Sequence, residues 1–176
     1  MITSYTYLQK CGKIKKKIFF SFFLEFFKKG GLFVYPTDTL LGLGGMKTKN
    51  IAKTIFDLKK RDPSKNLSFF EKKKTFLNKL SSKERKIFFK FKNKKVTFIL
   101  FSDAIRIPKS FFCKFLSTFS PFFSTSCNIS TKKNIHVLKD LDSCFLNSWV
   151  LWRDVPYENK PSDLIFLKTG KVKTRV

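Results

Sequence analysis

The sequence predicts an α/β fold, a mixed sheet with flanking helices, and three observations point to it. Short apolar runs bounded by turn residues recur along the chain, as in "LFVY" (32–35), "LSFF" (67–70) and "VTFILF" (96–101). Between them lie stretches whose apolar residues recur at helical spacing. The two kinds do not alternate regularly, so the sheet is not expected to be purely parallel. With 176 residues, 43% of them hydrophobic and 24 of them Phe, the chain is long and apolar enough for one domain over 1–176.

Taken in order, "KIKKKIFFSFFLEFFKKGG" (13–31) resembles a targeting segment in its basic and apolar runs. Lys17, Ser21, Glu25 and Lys28 nevertheless mark a polar stripe, and Gly30-Gly31 supplies a stop. It reads as an amphipathic helix that packs on the core, too short and interrupted to span a bilayer. "LFVY" is a strand that "PTDTLLGLGG" breaks, leaving backbone accessible. Thr48 caps a helix through Lys59 with Ile51, Ile55, Phe56 and Leu58 on its apolar positions. After "LSFF", Lys-rich helices occupy 72–80 and 82–91, and "VTFILF" and "AIRIP" (104–108) are strands joined at Ser102-Asp103. A helix from Ser110 to Ser117 leads into the strand of "PFFSTSCNIS". In 131–160, "NIHVLKDL" suggests a short helix, "SWVLW" a strand and "RDVPYENKPS" a loop. "DLIFL" and "KVKTRV" form a hairpin around Thr169-Gly170.

The formal charge of +25 points toward nucleic acid, because clustered cations neutralise phosphates and release counterions. The skew is broader than a binding patch. Nearly all cations are Lys, Ala occurs only at Ala52 and Ala104, and Phe stands where Leu, Val or Ala is usual. AT-biased coding produces that pattern with no binding requirement, so charge alone identifies no partner. Cys11, Cys113, Cys127 and Cys144 lack CxxC spacing, and His136 is the one histidine. No metal site is expected, and a reduced cytoplasmic chain with no membrane partner is the simplest reading.

Four polar clusters fall at strand ends or in loops: Thr37, Asp38 and Thr39; Lys59, Arg61 and Lys65; Ser124, Thr125, Ser126 and Asn128; and Ser162 with Arg175. Singly, each has an ordinary explanation as turn former, solvated helix end or loop. Their order is more specific. "YPTDTLLGLGG", "LKKRDPSKNL", "VTFILF", "IRIP", "STSCNIS" and "PSDL" together resemble the YrdC/TsaC family of threonylcarbamoyl-AMP synthases, which reads approximately YPTDTVYGLG, LKxRPxxKPL, PGPVTxxL, VRxP, STSANxSG and PSTI. The likeness is dense over 30–130 and looser in the last fifteen residues.

The resemblance implies a twisted YrdC-like sheet with a basic concave face. It implies a nucleotidyltransferase that converts L-threonine, bicarbonate and ATP, with Mg²⁺, to threonylcarbamoyl-AMP and pyrophosphate. A separate transferase would then modify the adenosine next to the anticodon in tRNAs reading ANN codons. By the same likeness, Lys59, Arg61 and Lys65 would be the catalytic cations, with Arg61 and Lys65 on the triphosphate. Thr97, Asn128 and Arg175 would hold nucleotide, and Thr37, Thr39, Ser126 and Ser162 would hold threonine. Cations at fixed positions suit a reaction whose charge grows on phosphate oxygens. No general base is marked. Arg61, Arg106 and Arg175, three of only five arginines, fall on family positions.

The chain departs from the family pattern at "NKK" before Thr97 in place of PGP, at Cys127 in place of Ala, and at Thr131 in place of Gly. Asn93, Lys94 and Lys95 specify the turn before Thr97 less firmly than proline and glycine do. The alternative from another class is an RNA-binding or ribosome-associated module on the same fold, whose basic concavity takes tRNA or double-stranded RNA.

Overall fold

The computed structural model describes residues 21, 23–37, 39–130, 132, 149–150 and 161–175. Asp38, His136, Cys11, Cys144 and Thr131 lie outside them, as do the expected helix "NIHVLKDL" and most of the "RDVPYENKPS" loop. Among the described residues the elements are β1 (Phe33–Pro36), β2 (Leu41–Met46), β3 (Ser68–Phe70), β4 (Val96–Leu100), β5 (Asp103–Arg106), β6 (Phe122–Ser126), β7 (Trp149–Val150), β8 (Asp163–Phe166) and β9 (Val172–Lys173). The helices are α1 (23–28), α2 (Lys49–Lys59), α3 (Lys73–Asn78), α4 (Ser82–Phe91) and α5 (Phe111–Phe119). The strands form one mixed sheet in the order β7-β1-β2-β6-β3-β5-β4-β8-β9. The pairs β3/β5, β4/β8 and β1/β7 are parallel and the others antiparallel. No described helix is long and apolar enough to cross a membrane.

Side chains alternate along each strand, and the two faces bury different cores. On one face Val34, Leu43, Phe69, Phe98, Ile105, Phe123 and Ile165 meet Ile51 and Ile55 of α2, Phe76 of α3 and Phe88 of α4. On the other, Phe33, Tyr35, Phe70 and Phe122 meet Phe23 and Phe27 of α1 and Cys113 and Leu116 of α5. Rings there meet edge to face, as in Phe23 against Phe33 at 5.3 Å and 82°. Each fully buried Phe contributes roughly 1.5–3 kcal/mol relative to exposure.

The one large departure from the sequence reading is β2. "LLGLGG" looks like a break, yet it is a strand paired on both sides, Gly44 opposite Phe33 of β1 and Ser124 of β6. The glycines are there for close approach. A Cβ on Gly44 would lie 2.5 Å from the Phe123 carbonyl oxygen and 3.0 Å from the Tyr35 ring. That bare backbone lets Tyr35 lie across the strand and donate to Ser124 Oγ at 2.6 Å.

Among the described helices, α1 and α5 cover only half of their face. Beyond them Ser124, Ser68, Ala104 and Ile99 stand side by side on neighbouring strands and line a concavity. Three of these four side chains are small, so the row is its floor.

Candidate anion-binding site

The floor opens into a cavity of about 460 Å³. Its described lining includes Thr37, Thr39, Arg61, Thr97, Arg106, Ser126, Ser162 and Arg175, with no Asp or Glu. They enter from several different elements. Thr37 opens the β1–β2 turn: its Oγ1 accepts from the Thr39 and Leu40 amides at 3.1 Å each and donates to the Leu40 carbonyl at 2.6 Å. Thr39 Oγ1 accepts from Arg106 Nη2 at 3.3 Å. Arg106 itself is 9% exposed, stacked 5.1 Å from the centroid of Phe70.

Arg61 is delivered by the end of α2. Lys60 takes a left-handed φ of 48°, and the Arg61 amide then bonds the Phe56 carbonyl at 2.9 Å, closing the helix in the Schellman manner. Arg61 Nη2 donates to Asn66 O at 3.0 Å, while its Nε is buried with no hydrogen-bond partner. An orphaned charged donor in a cavity wall is suited to an anionic acceptor. Burial pushes the Arg61 guanidinium below its ordinary pKa, with Asp62 opposing.

On the far wall, the β8–β9 hairpin turns at Thr169-Gly170 and returns the chain to the site. Arg175 Nε donates to Ser162 O at 2.6 Å and Nη2 to Ser162 Oγ at 2.9 Å. Ser162 Oγ and Thr97 Oγ1 share a hydrogen bond of 2.7 Å. Burial lowers the Arg175 pKa, Arg106 lowers it further, Asp163 opposes, and Arg61 adds to the lowering. Arg175 therefore feels both other guanidiniums across a cavity whose described lining holds no carboxylate, an arrangement suited to an entering anion.

The weak turn before Thr97 is held from elsewhere. Lys109 Nζ donates to the carbonyls of Asn93 at 2.8 Å and Lys94 at 2.9 Å, and Thr97 sits 2% exposed opposite Leu164.

Three expected site residues lie outside the described lining. Lys59, at 1% exposure, stands behind the described wall, where Nζ donates to the carbonyls of Ser126 and Asn128 and to Asn128 Oδ1. Asn128 is buried with it, its Nδ2 donating to Lys132 O at 2.7 Å. Lys65 is exposed on the Arg61 loop. Conversely Arg106, noted in sequence only for its place in "IRIP", proves to be part of the wall. Its signal was strand parity with the cavity-facing positions of β5. Among the described residues no cluster of His, Cys, Asp or Glu could hold a metal ion.

A mixed sheet on which the described helices leave half of one face open, with arginines and hydroxyls converging over that half, defines an α/β protein with a candidate site for a small anionic ligand. The chain belongs to the Sua5/YciO/YrdC family, whose model, described as "Telomere recombination", matches residues 25–173. It is similar to Sua5 of P. abyssi complexed with L-threonine (19% identity, TM-score 0.69, 84% of this chain and 50% of that one). It is similar also to E. coli YciO (20%, 0.65, 81% and 80%) and to full-length HypF in a phosphate- and nucleotide-bound form (12%, 0.67, 85% and 27%). At such identities the likeness is one of fold. The chain spans about half the length of the Sua5 chains. No curated protein matches it in sequence.

Proposed function

We propose that this chain is an L-threonylcarbamoyl-AMP synthase. The observation that carries the reading is the cavity with Arg61, Arg106 and Arg175 on its walls, the hydroxyls of Thr39, Ser126 and Ser162 between them, and no carboxylate in its described lining. The L-threonine of the Sua5 complex and the nucleotide of HypF are consistent with it.

On this reading the amine of L-threonine attacks the carbon of bicarbonate, and loss of water leaves a carbamate. A carbamate oxygen then attacks the α-phosphorus of ATP while the bond to the β-phosphate oxygen breaks and pyrophosphate leaves. Charge accumulates on the phosphate oxygens, where fixed guanidiniums stabilise it without reorganising. Arg61 supplies the unpartnered Nε and Arg175 closes from beyond β9. Thr97 borders the nucleotide, while Thr39, Ser126 and Ser162 hydrogen-bond threonine. Lys59 and Asn128 act from behind, fixing the backbone that carries Ser126. With no carboxylate on the described wall, Mg²⁺ would arrive on the triphosphate, whose charge it neutralises. The product would pass to a separate transferase acting on tRNA.

The direct test is incubation with ATP, L-threonine and bicarbonate, followed by detection of threonylcarbamoyl-AMP and pyrophosphate. ATP turnover that is equal without threonine would sink the synthase reading. Charge location gives a second test. Lys72, Lys73 and Lys74 are exposed at the start of α3. Replacing all three with Gln should leave the Michaelis constant for ATP within about twofold at physiological salt, where the Debye length is ~8 Å. Lys65→Gln, on the Arg61 loop, should raise it roughly tenfold, the scale of one lost hydrogen bond to a charged group. The reverse pattern would favour a diffuse RNA-binding surface.

A further inference from the structure

We propose that Phe101 is the platform on which the nucleobase of the substrate stacks, an assignment that rests on the synthase reading above. Phe101 is the only aromatic residue in the described cavity lining, and it is 72% exposed. It opens the two-residue turn between Leu100 of β4 and Asp103 of β5, with φ at 54°. Glycine is the usual residue where a tight hairpin needs positive φ, and a bulky side chain there is strained. Burial does not compensate, since the ring is mostly in water. Neither the turn nor the core accounts for phenylalanine at this position, and strain of this kind clusters at functional sites.

The ring is also held in place. Lys168, in the β8–β9 turn, sets its Nζ 4.1 Å from the ring centroid, a cation–π contact that ties Phe101 to a second element. Strand alternation puts Thr97 and Ile99 on the cavity-facing side of β4, and Phe101, in the turn just beyond the strand, also lines the cavity. Arg106 and Arg175 gather at the Thr97 end, and at ~3.3 Å per residue Phe101 lies roughly 13 Å along from it. Arg61 stands at the Phe101 end, bonded to Asn66, whose Nδ2 donates to Ser102 O at 2.6 Å, so a ligand that spans this cavity meets Arg106 and Arg175 at one end and a π face beside Arg61 at the other. An amino acid or a bare phosphate has no use for the ring, whereas a nucleotide engages both. Because every base presents a π face, the platform adds affinity without selecting the base.

The test is calorimetric binding of ATP and of inorganic pyrophosphate to the wild-type chain and to Phe101→Gly, Phe101→Asn and Phe101→Trp, with melting temperatures. Glycine adopts positive φ freely and asparagine tolerates it, so both variants should melt at or above the wild-type temperature. Both should nonetheless bind ATP about tenfold or more weakly, with pyrophosphate affinity unchanged, and Phe101→Trp should keep ATP binding. Undiminished ATP affinity in Phe101→Gly overturns the platform and leaves the synthase reading standing, as does equal weakening of ATP and pyrophosphate. Wild-type protein that binds pyrophosphate but no ATP overturns the synthase reading and the platform together.

Discussion

Arg61→Ala should lower the formation of threonylcarbamoyl-AMP by at least ~10²-fold, the scale seen when one preorganised donor to a developing oxyanion is removed. The fold should scarcely notice. The residue lies beyond α2, half-buried, and its one described side-chain bond is to Asn66 O. Losing that bond costs about 1 kcal/mol, or ~2–4 °C in melting temperature for a chain of this size. Arg61→Lys should recover only part of the activity, because an ammonium restores charge but not the fork that Nη2 and the unpartnered Nε provide. Steady-state kinetics beside a thermal melt decides the matter. Should activity fall only in step with the amount of folded protein, Arg61 is a loop anchor and the cavity has another chemical purpose.

How far the sequence foretells this arrangement depends on whether a residue's signal is local. Thr48 and Ser110 read as helix starts, and each side chain accepts the amide three residues on, because capping needs only neighbouring residues. The β8–β9 hairpin is legible for the same reason. β2 is not: glycine signals a turn when the neighbours are unknown, and only the positions of Tyr35 and Phe123 show that it is there for close approach. Lys109 bracing the turn before Thr97 is likewise invisible, since thirteen residues separate it from Val96 at the head of the strand it supports.

Lys59 differs, because its signal was present and was outweighed. Ile51, Ile55 and Lys59 recur at intervals of four, which puts the lysine on the buried stripe of α2 and not on its solvated end. Beside Arg61 and Lys65 it looks like a third cation for phosphate. Spacing along the chain and facing around the helix gave opposite answers, and packing follows the second. The site thus has two tiers: guanidiniums in the wall, and a buried ammonium that shapes the wall.

Lys59→Met separates those tiers. Methionine keeps most of the apolar stem's volume, so packing against α2's neighbours is largely retained. The carbonyls of Ser126 and Asn128 lose their charged donor in an environment that water does not readily reach. The Ser126 carbonyl keeps the Asn128 amide at 3.1 Å, but the Asn128 carbonyl loses its described donor, and an orphaned buried acceptor costs about 1–3 kcal/mol, offset in part because the folded state no longer desolvates an ammonium. A net loss of roughly 2 kcal/mol or more is expected, which is ~4–8 °C in melting temperature and a substantial part of a typical domain's 5–15 kcal/mol. Activity should fall as well, since Ser126 and Asn128 relax when their backbone is released, and it should fall through the constant for threonine more than through that for ATP. A residue that touched the triphosphate would behave in the opposite way, with ATP affinity lost and the melting temperature unchanged or raised. That outcome would return Lys59 to the cavity and show that its burial behind the wall is not its working position.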